Sequence, residues 1–277
     1  MKIGVIGAGT MGSGIAQVFA AGGNDVLLCD ISREFADGGK EKIRKQLEKR
    51  IGKGKLQREE ADALLSRIVT GLKEECTDCD LIIEAAVENE QIKKQTFREL
   101  DGIAREGCIF CTNTSSISVT RISEGLSRPV TGMHFFNPAP VMKLVEVVQG
   151  EQTDDALAAE ISAIAEGTGK TPVIVKDAPG FVVNRVLIPM INEAIGIYAS
   201  GTADVSGIDT AMKLGASHPM GPLELADMIG LDVVLAILEV IEKETGDKKY
   251  APHPLLVKMV QEGKLGRKSG SGFTIGE

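Results

Sequence analysis

The chain has 277 residues, of which 43% are hydrophobic and 25% charged, with a formal net charge of -8 at neutral pH. That length exceeds the usual domain of about 100 to 150 residues and predicts two separate cores. The acidic balance argues against general affinity for nucleic acid or an anionic membrane, and no apolar run reaches the roughly 20 residues of a spanning helix, so a cytoplasmic protein is expected.

The first element is a strand, "KIGVIG", entered at once with no charged and apolar leader before it. It runs into Gly7, Gly9 and Gly12, a G-x-G-x-x-G turn that opens the helical pattern "MGSGIAQVFAAG"; a second strand, "DVLLCD", then ends on Asp30. In that context the turn is a dinucleotide fingerprint. Glycine lets a pyrophosphate approach the backbone at a helix N-terminus, and the acid about 20 residues on accepts from a ribose. Gly7, Gly9, Thr10, Met11, Gly12 and Asp30 are the candidate contacts. Asp30 favours NAD, since a carboxylate repels the 2'-phosphate of NADP, whereas the guanidinium of Arg33 nearby keeps NADP open.

From Arg33 to Arg67 the chain is too long for a simple crossover, and its helical periodicity breaks at "GKGK" near Gly54. A helical hairpin over about 33–67 is expected, projecting from the nucleotide domain and unusually basic. The runs "DLIIEAAVE", "CIFCTN" and "VTGMHFF" continue a parallel pattern, "MKLVEVVQG" reads as the last strand of the first domain, and "TPVIVKDAPG" reads as a strand and exit segment. Beyond Pro179 and Gly180 the patterns are helical. The expected fold is α/β: a Rossmann-type doubly wound sheet with an inserted helical hairpin over residues 1–180, then an all-helical C-terminal domain over 181–277.

Two C-x-x-C pairs, Cys76 with Cys79 and Cys108 with Cys111, raise the question of zinc. The gap between the pairs is long, and a strand reading of "CIFCTN" throws its two cysteines onto opposite faces. Buried thiols and no metal site are expected.

Of three histidines, His134 lies on a strand. On the next strand Glu146 shares a face with Leu144 and Val148, and a buried carboxylate needs a partner. An antiparallel return through "NPAPV" brings it beside His134. Such a pair suits alcohol dehydrogenation, with His134 taking the hydroxyl proton and Glu146 orienting the ring. Asn184 sits on an apolar helix stripe with Leu187, Ile188 and Ile191, where an amide wants a ligand or a partner.

The segments "GAGTMGSGIA", "EAAVEN", "NTSS", "GMHFFNPAPVMKLVEVV", "DAPGFVVNR" and "AMKLGASHPMGPLELAD" together resemble the 3-hydroxyacyl-CoA dehydrogenase family, and most of all its bacterial 3-hydroxybutyryl-CoA branch. The likeness runs to the terminal "GRKSGSGF" and, with no crotonase-like domain ahead of it, is to the stand-alone enzymes. The resemblance implies His134 as catalytic base, Glu146 as its partner, and Ser115 and Asn184 as holders of the substrate oxygens. It implies NAD contacts at Glu88, Lys93, Ser115, Asn137 and Lys268; for Lys93 and Lys268 the sequence alone reads as surface charge. It implies a coenzyme A contact at Lys53, within a basic hairpin suited to the CoA phosphates, with Gln46 where the family often has Ser. The substrates implied are acetoacetyl-CoA and (S)-3-hydroxybutyryl-CoA, in butyrate and fatty-acid metabolism, and the assembly a homodimer. His218 and His253 read as structural, with His218 a candidate for the cleft wall. Two other functions remain open: a dehydrogenase of a free hydroxy acid, which needs no extended cationic surface, and a non-catalytic NAD-binding regulator, which needs only the glycine turn and Asp30.

Overall fold

The computed structural model describes residues 1–276, and the chain divides between Ala178 and Pro179 into two compact units. Among the described residues eight strands form one sheet in the first unit. They are β1 (Lys2–Ile6), β2 (Asp25–Cys29), β3 (Ile68–Gly71), β4 (Leu81–Glu84), β5 (Ile109–Thr112), β6 (Val130–Phe135), β7 (Leu144–Gln149) and β8 (Thr171–Lys176). The order is β3-β2-β1-β4-β5-β6-β7-β8, so the winding reverses between β1 and β4. That reversal opens a crevice at the carboxyl ends of β1 and β4, the place where such sheets take a ligand.

Helices α1 (Thr10–Ala21), α2 (Arg33–Gly52), α3 (Arg58–Ser66) and α6 (Asp155–Gly167) pack on one face. On the other lie α4 (Glu90–Asp101) and α5 (Val119–Ser123). Period-two alternation sorts the strand residues between the two layers: Val26 and Leu28 join the α1 side, Leu27 and Cys29 the α4 side. The same alternation separates Cys111 from Cys108, as expected for "CIFCTN". All five cysteines are free and buried, and among the described residues no His, Cys, Asp or Glu cluster of three or more is arranged to hold a metal.

Three expectations need correction. The stretch just after the hairpin forms an edge strand, the four-residue β3, which is too short to show alternation in the sequence. The sheet ends on β8, not β7, because β8 pairs parallel along the whole of β7. The hairpin does not simply project: α2 buries Ala36, Gly39, Ile43 and Leu47, a stripe at helical spacing, and α3 buries Ala61 in the same core.

Only β6 and β7 pair antiparallel within a sheet otherwise parallel between neighbours. The connection over 136–143 is too short for a parallel crossover, which needs a dozen or more residues. Lys170 fixes that connection from below, its buried ammonium donating to the carbonyls of Ala139 at 2.5 Å and Met142 at 2.7 Å.

The second unit holds α7 (Val183–Ala199), α8 (Val205–Gly215), α9 (Pro222–Ile229), α10 (Leu231–Thr245) and α11 (Pro254–Gln261) around a core of its own. Buried Asp227 gathers its terminal segment, accepting from the N–H groups of Phe273 and Thr274. Among the described residues no helix is long and apolar enough to cross a membrane.

Candidate active site

The turn after β1 has the shape its glycines imply. Gly7 takes φ +101, a region L side chains rarely enter, and a Cβ there would stand 2.7 Å from the Ala85 carbonyl oxygen at the end of β4. A Cβ on Gly12 would meet the Gly7 carbonyl oxygen at 1.7 Å, so α1 packs hard under the turn. A Cβ on Gly9 would meet nothing within 4 Å, and α1 begins at Thr10 and Met11 without a side-chain cap on its N–H groups. An open, uncapped helix start against bare backbone fits a pyrophosphate.

Asp30 lies beside it at the end of β2. Its Oδ2 accepts from the Ala8 N–H at 2.6 Å and its Oδ1 from the Ile31 N–H at 2.7 Å. These bonds fix the carboxylate while leaving each oxygen a second lone pair for a ribose hydroxyl. Asp30, Gly7, Gly9, Ala86 and Ile92 line one cavity of about 820 Å³, room for the adenosine half of a dinucleotide. The chain's residues therefore fit NAD.

At the end of β4 stands an ion-paired group the sequence had not singled out. Glu84, fully buried, accepts from Lys93 Nζ on both oxygens at 2.8 Å and from the Thr112 hydroxyl at 2.7 Å. Lys93 is 1% exposed, which corrects the reading of it as plain surface charge. The sequence offered only a partial signal, an acid closing the apolar run "LIIE"; that it faces Thr112 is decided by the register of β4 and β5. Lys93 also lies 3.4 Å from Glu88, whose Oε1 accepts from Thr114 Oγ1 at 2.7 Å and from the N–H groups of Ser115 and Ser116 at 2.9 and 3.1 Å. Burial pushes the Glu88 carboxyl upward, but the Lys93 ammonium and these donors outweigh it and hold the group below the usual carboxylate range. Ser115 is thus held by the same network that holds Glu88 and Lys93.

The dyad forms as the alternation required. His134 and Glu146 are direct partners in the antiparallel register of β6 and β7, and His134 Nδ1 lies 2.8 Å from Glu146 Oε2. A carboxylate only accepts, so Nδ1–H donates and the Nε2 lone pair is the basic atom. Glu146 is 1% exposed and His134 5%, and the Phe136 ring packs 4.5 Å from the imidazole centroid. Asn113, just past β5, accepts the Phe135 N–H at 2.8 Å and ties the loop carrying Ser115 to the strand carrying His134. Asn137 follows in the exposed connection.

In the second unit Asn184 is buried on α7 in line with Ile188, Ile191 and Ile195, as its spacing indicated. Lys268 is ion-paired with Asp232 beside Gly230. His253 is structural: Nδ1 caps α11 by accepting the Leu255 N–H, and its own N–H donates to Asn192.

On the basic hairpin Lys40, Arg44 and Arg58 are engaged within the protein, by the Ile68 carbonyl, Glu41 and Glu48. Lys42, Lys45, Lys49, Arg50, Lys53 and Lys55 are exposed. Lys49 and Arg50 occupy the last turn of α2 and Lys53 its cap, where the helix dipole also favours cations.

Residues 2–178 match the family model described as "3-hydroxyacyl-CoA dehydrogenase, NAD binding domain", and residues 180–275 match "3-hydroxyacyl-CoA dehydrogenase, C-terminal domain". The chain is 51% identical over 276 residues to a 3-hydroxybutyryl-CoA dehydrogenase of Clostridioides difficile, covering 99% of this chain and 98% of that one. It is 42% identical to the human mitochondrial hydroxyacyl-coenzyme A dehydrogenase, covering 97% of this chain and 89% of the relative. A crystal structure of (S)-3-hydroxybutyryl-CoA dehydrogenase from Ralstonia eutropha superposes with a TM-score of 0.95 at 45% identity, over 100% of this chain and 99% of that one.

Proposed function

The chain belongs to the 3-hydroxyacyl-CoA dehydrogenase family, and from that premise we propose how its residues carry the reaction. It is an NAD-dependent 3-hydroxybutyryl-CoA dehydrogenase, interconverting (S)-3-hydroxybutyryl-CoA and acetoacetyl-CoA. The observation that carries the mechanism is the buried 2.8 Å bond between His134 and Glu146.

In the oxidative direction His134 Nε2 takes the proton of the 3-hydroxyl, and the ring becomes imidazolium. Glu146 keeps Nδ1 protonated, aims Nε2 and stabilises the positive ring. NAD, when bound, supplies the acceptor for the hydride that leaves carbon 3. In reduction His134 returns the proton to the developing alkoxide. Ser115 and Asn184 hold the substrate oxygens, and Glu88 positions Ser115 through its amide. Gly7, Gly9, Thr10, Met11 and Gly12 would hold the pyrophosphate of NAD and Asp30 its ribose, and the family resemblance assigns further cofactor contacts to Asn137, Lys93 and Lys268.

Lys53 and the exposed cations of the hairpin bind the phosphates of coenzyme A. The protein works in the cytoplasm as a homodimer, in butyrate and fatty-acid metabolism. Val186, Leu214, Met228 and Val233, apolar and exposed on the helical unit, support self-association there. Sedimentation at micromolar concentration tests it, and a monomer would remove that part of the reading.

The deciding assay follows NADH oxidation with acetoacetyl-CoA, longer 3-ketoacyl-CoA esters and free acetoacetate. Acetoacetyl-CoA is expected to give the highest kcat/KM, and a preference for free acetoacetate would overturn the assignment.

A further inference from the structure

We infer that Glu75 is a specificity-determining residue for the dinucleotide: it holds the guanidinium of Arg33 away from the ribose site and so withholds a cation from any 2'-phosphate. This deepens the reading of the protein as an NAD-dependent dehydrogenase and rests on it.

Arg33 begins α2, three residues after Asp30, where a guanidinium would ordinarily neutralise a phosphate beside that carboxylate. Its fork is directed elsewhere. Nη2 donates to Glu75 Oε1 at 2.8 Å and Nη1 to the Thr70 carbonyl at 3.2 Å, pinning the side chain to the end of β3 and to the 3-10 turn over Lys73–Asp78. The acceptor is itself held in place. Glu75 Oε1 also accepts the Leu72 N–H at 2.8 Å, and it lies 3.0 Å from where a Cβ on Gly71 would stand.

Leu72, Lys73 and Glu74 line the cavity with Asp30, whereas neither Arg33 nor Glu75 does, so the ion pair keeps the guanidinium off the cavity lining. Lys73, the cation on the lining, is likewise ion-paired, with Glu99. The ribose end of the site therefore presents Asp30 and Glu74 with both nearby cations compensated. A 2'-hydroxyl donates to such a surface; a dianionic phosphate meets repulsion. The Arg33–Glu75 pair is partly exposed and so individually weak, which makes it a latch that one substitution can open.

The test is a double-mutant cycle on the full-length protein, reading the Kd of NADH and of NADPH separately by nucleotide fluorescence and by calorimetry, without substrate. Glu75→Gln keeps a carbonyl for the Leu72 N–H and removes the charge that holds Arg33. It is expected to tighten NADPH about three- to tenfold and leave NADH within about twofold, the scale of one partly screened charge-assisted contact. Arg33→Ala alone is expected to change NADPH little, and in the Glu75→Gln background to abolish the gain.

An unchanged NADPH affinity in Glu75→Gln would overturn the proposal, as would a gain that survives Arg33→Ala, since removal of distant charge would then explain it. So would an equal loss of NADPH on Arg33→Ala with and without Glu75, which would mean that the guanidinium already reaches the phosphate. If the unmodified protein bound neither nucleotide, the dehydrogenase reading would fall first and take the proposal with it.

Discussion

Replacing Glu146 by Gln tests the dyad at its most informative point, because the amide keeps the shape of the side chain and removes only its charge. The bond to His134 is 2.8 Å long and Glu146 is 1% exposed, so solvent does little to screen the pair. A hydrogen bond to a charged group is worth about 1.5 to 3 kcal/mol and a neutral one about 0.5 to 1.5, so, like end against like end, the substitution removes about 1 to 1.5 kcal/mol. The loss falls mainly on the transition state, where the ring acquires its proton and positive charge. That corresponds to about a 5- to 13-fold fall in kcat, with the KM for NADH nearly unchanged. Stopped-flow measurement of NADH oxidation under single turnover separates this step from product release. His134→Ala is expected to cost about 10² to 10⁴-fold, and adding Glu146→Gln to it should cost almost nothing more, since the carboxylate acts through the ring. Turnover of Glu146→Gln within twofold of the unmodified protein, or a full additional loss in the double variant, would refute the pairing.

Neutralising Lys49, Arg50 and Lys53 together should raise the KM for acetoacetyl-CoA about tenfold at low salt, less at high salt, and leave acetoacetyl-pantetheine unaffected, because that substrate lacks the nucleotide phosphates. Lys93→Met strands the buried Glu84 carboxylate and should cost about 3 to 5 kcal/mol, seen in calorimetry as a Tm lower by roughly 10 °C, with part of the loss recovered in Glu84→Gln/Lys93→Met. The folded-state value of Glu88 is depressed, so its stabilisation is fully present above the unfolded value of about 4.3 and is lost as pH falls through the lower folded value; the Tm gap between Glu88→Gln and the unmodified protein should be constant above about pH 5 and close in acid. Burial pushes the Cys108 thiol up to about 11 and that of Cys111 higher still, so a thiol reagent at pH 8 should label the native protein slowly and all five cysteines after unfolding.

The sequence by itself determined what depends on local pattern. The glycine turn, the strand ending on Asp30, the hairpin break near Gly54 and the buried stripe of Asn184 each follow from spacing along one element, since period and turn chemistry act over a few residues. The His134–Glu146 pair was legible for a related reason: a short connection permits only an antiparallel return, and alternation then fixes which side chains meet. Other features depend on which strands lie side by side. β3 is too short to declare itself, and it became visible only as the partner of β2 at the sheet edge. Glu84, Lys93, Thr112 and Glu88 come from three segments, and nothing in any one of them reveals that their charges converge. Arg33 is the sharpest case. From the sequence it was a cation near a ribose; the tertiary structure gave it to Glu75, 42 residues away, because the segment after β3 passes beside the start of α2. Charge partners over such separations are set by sheet order, which local periodicity does not encode.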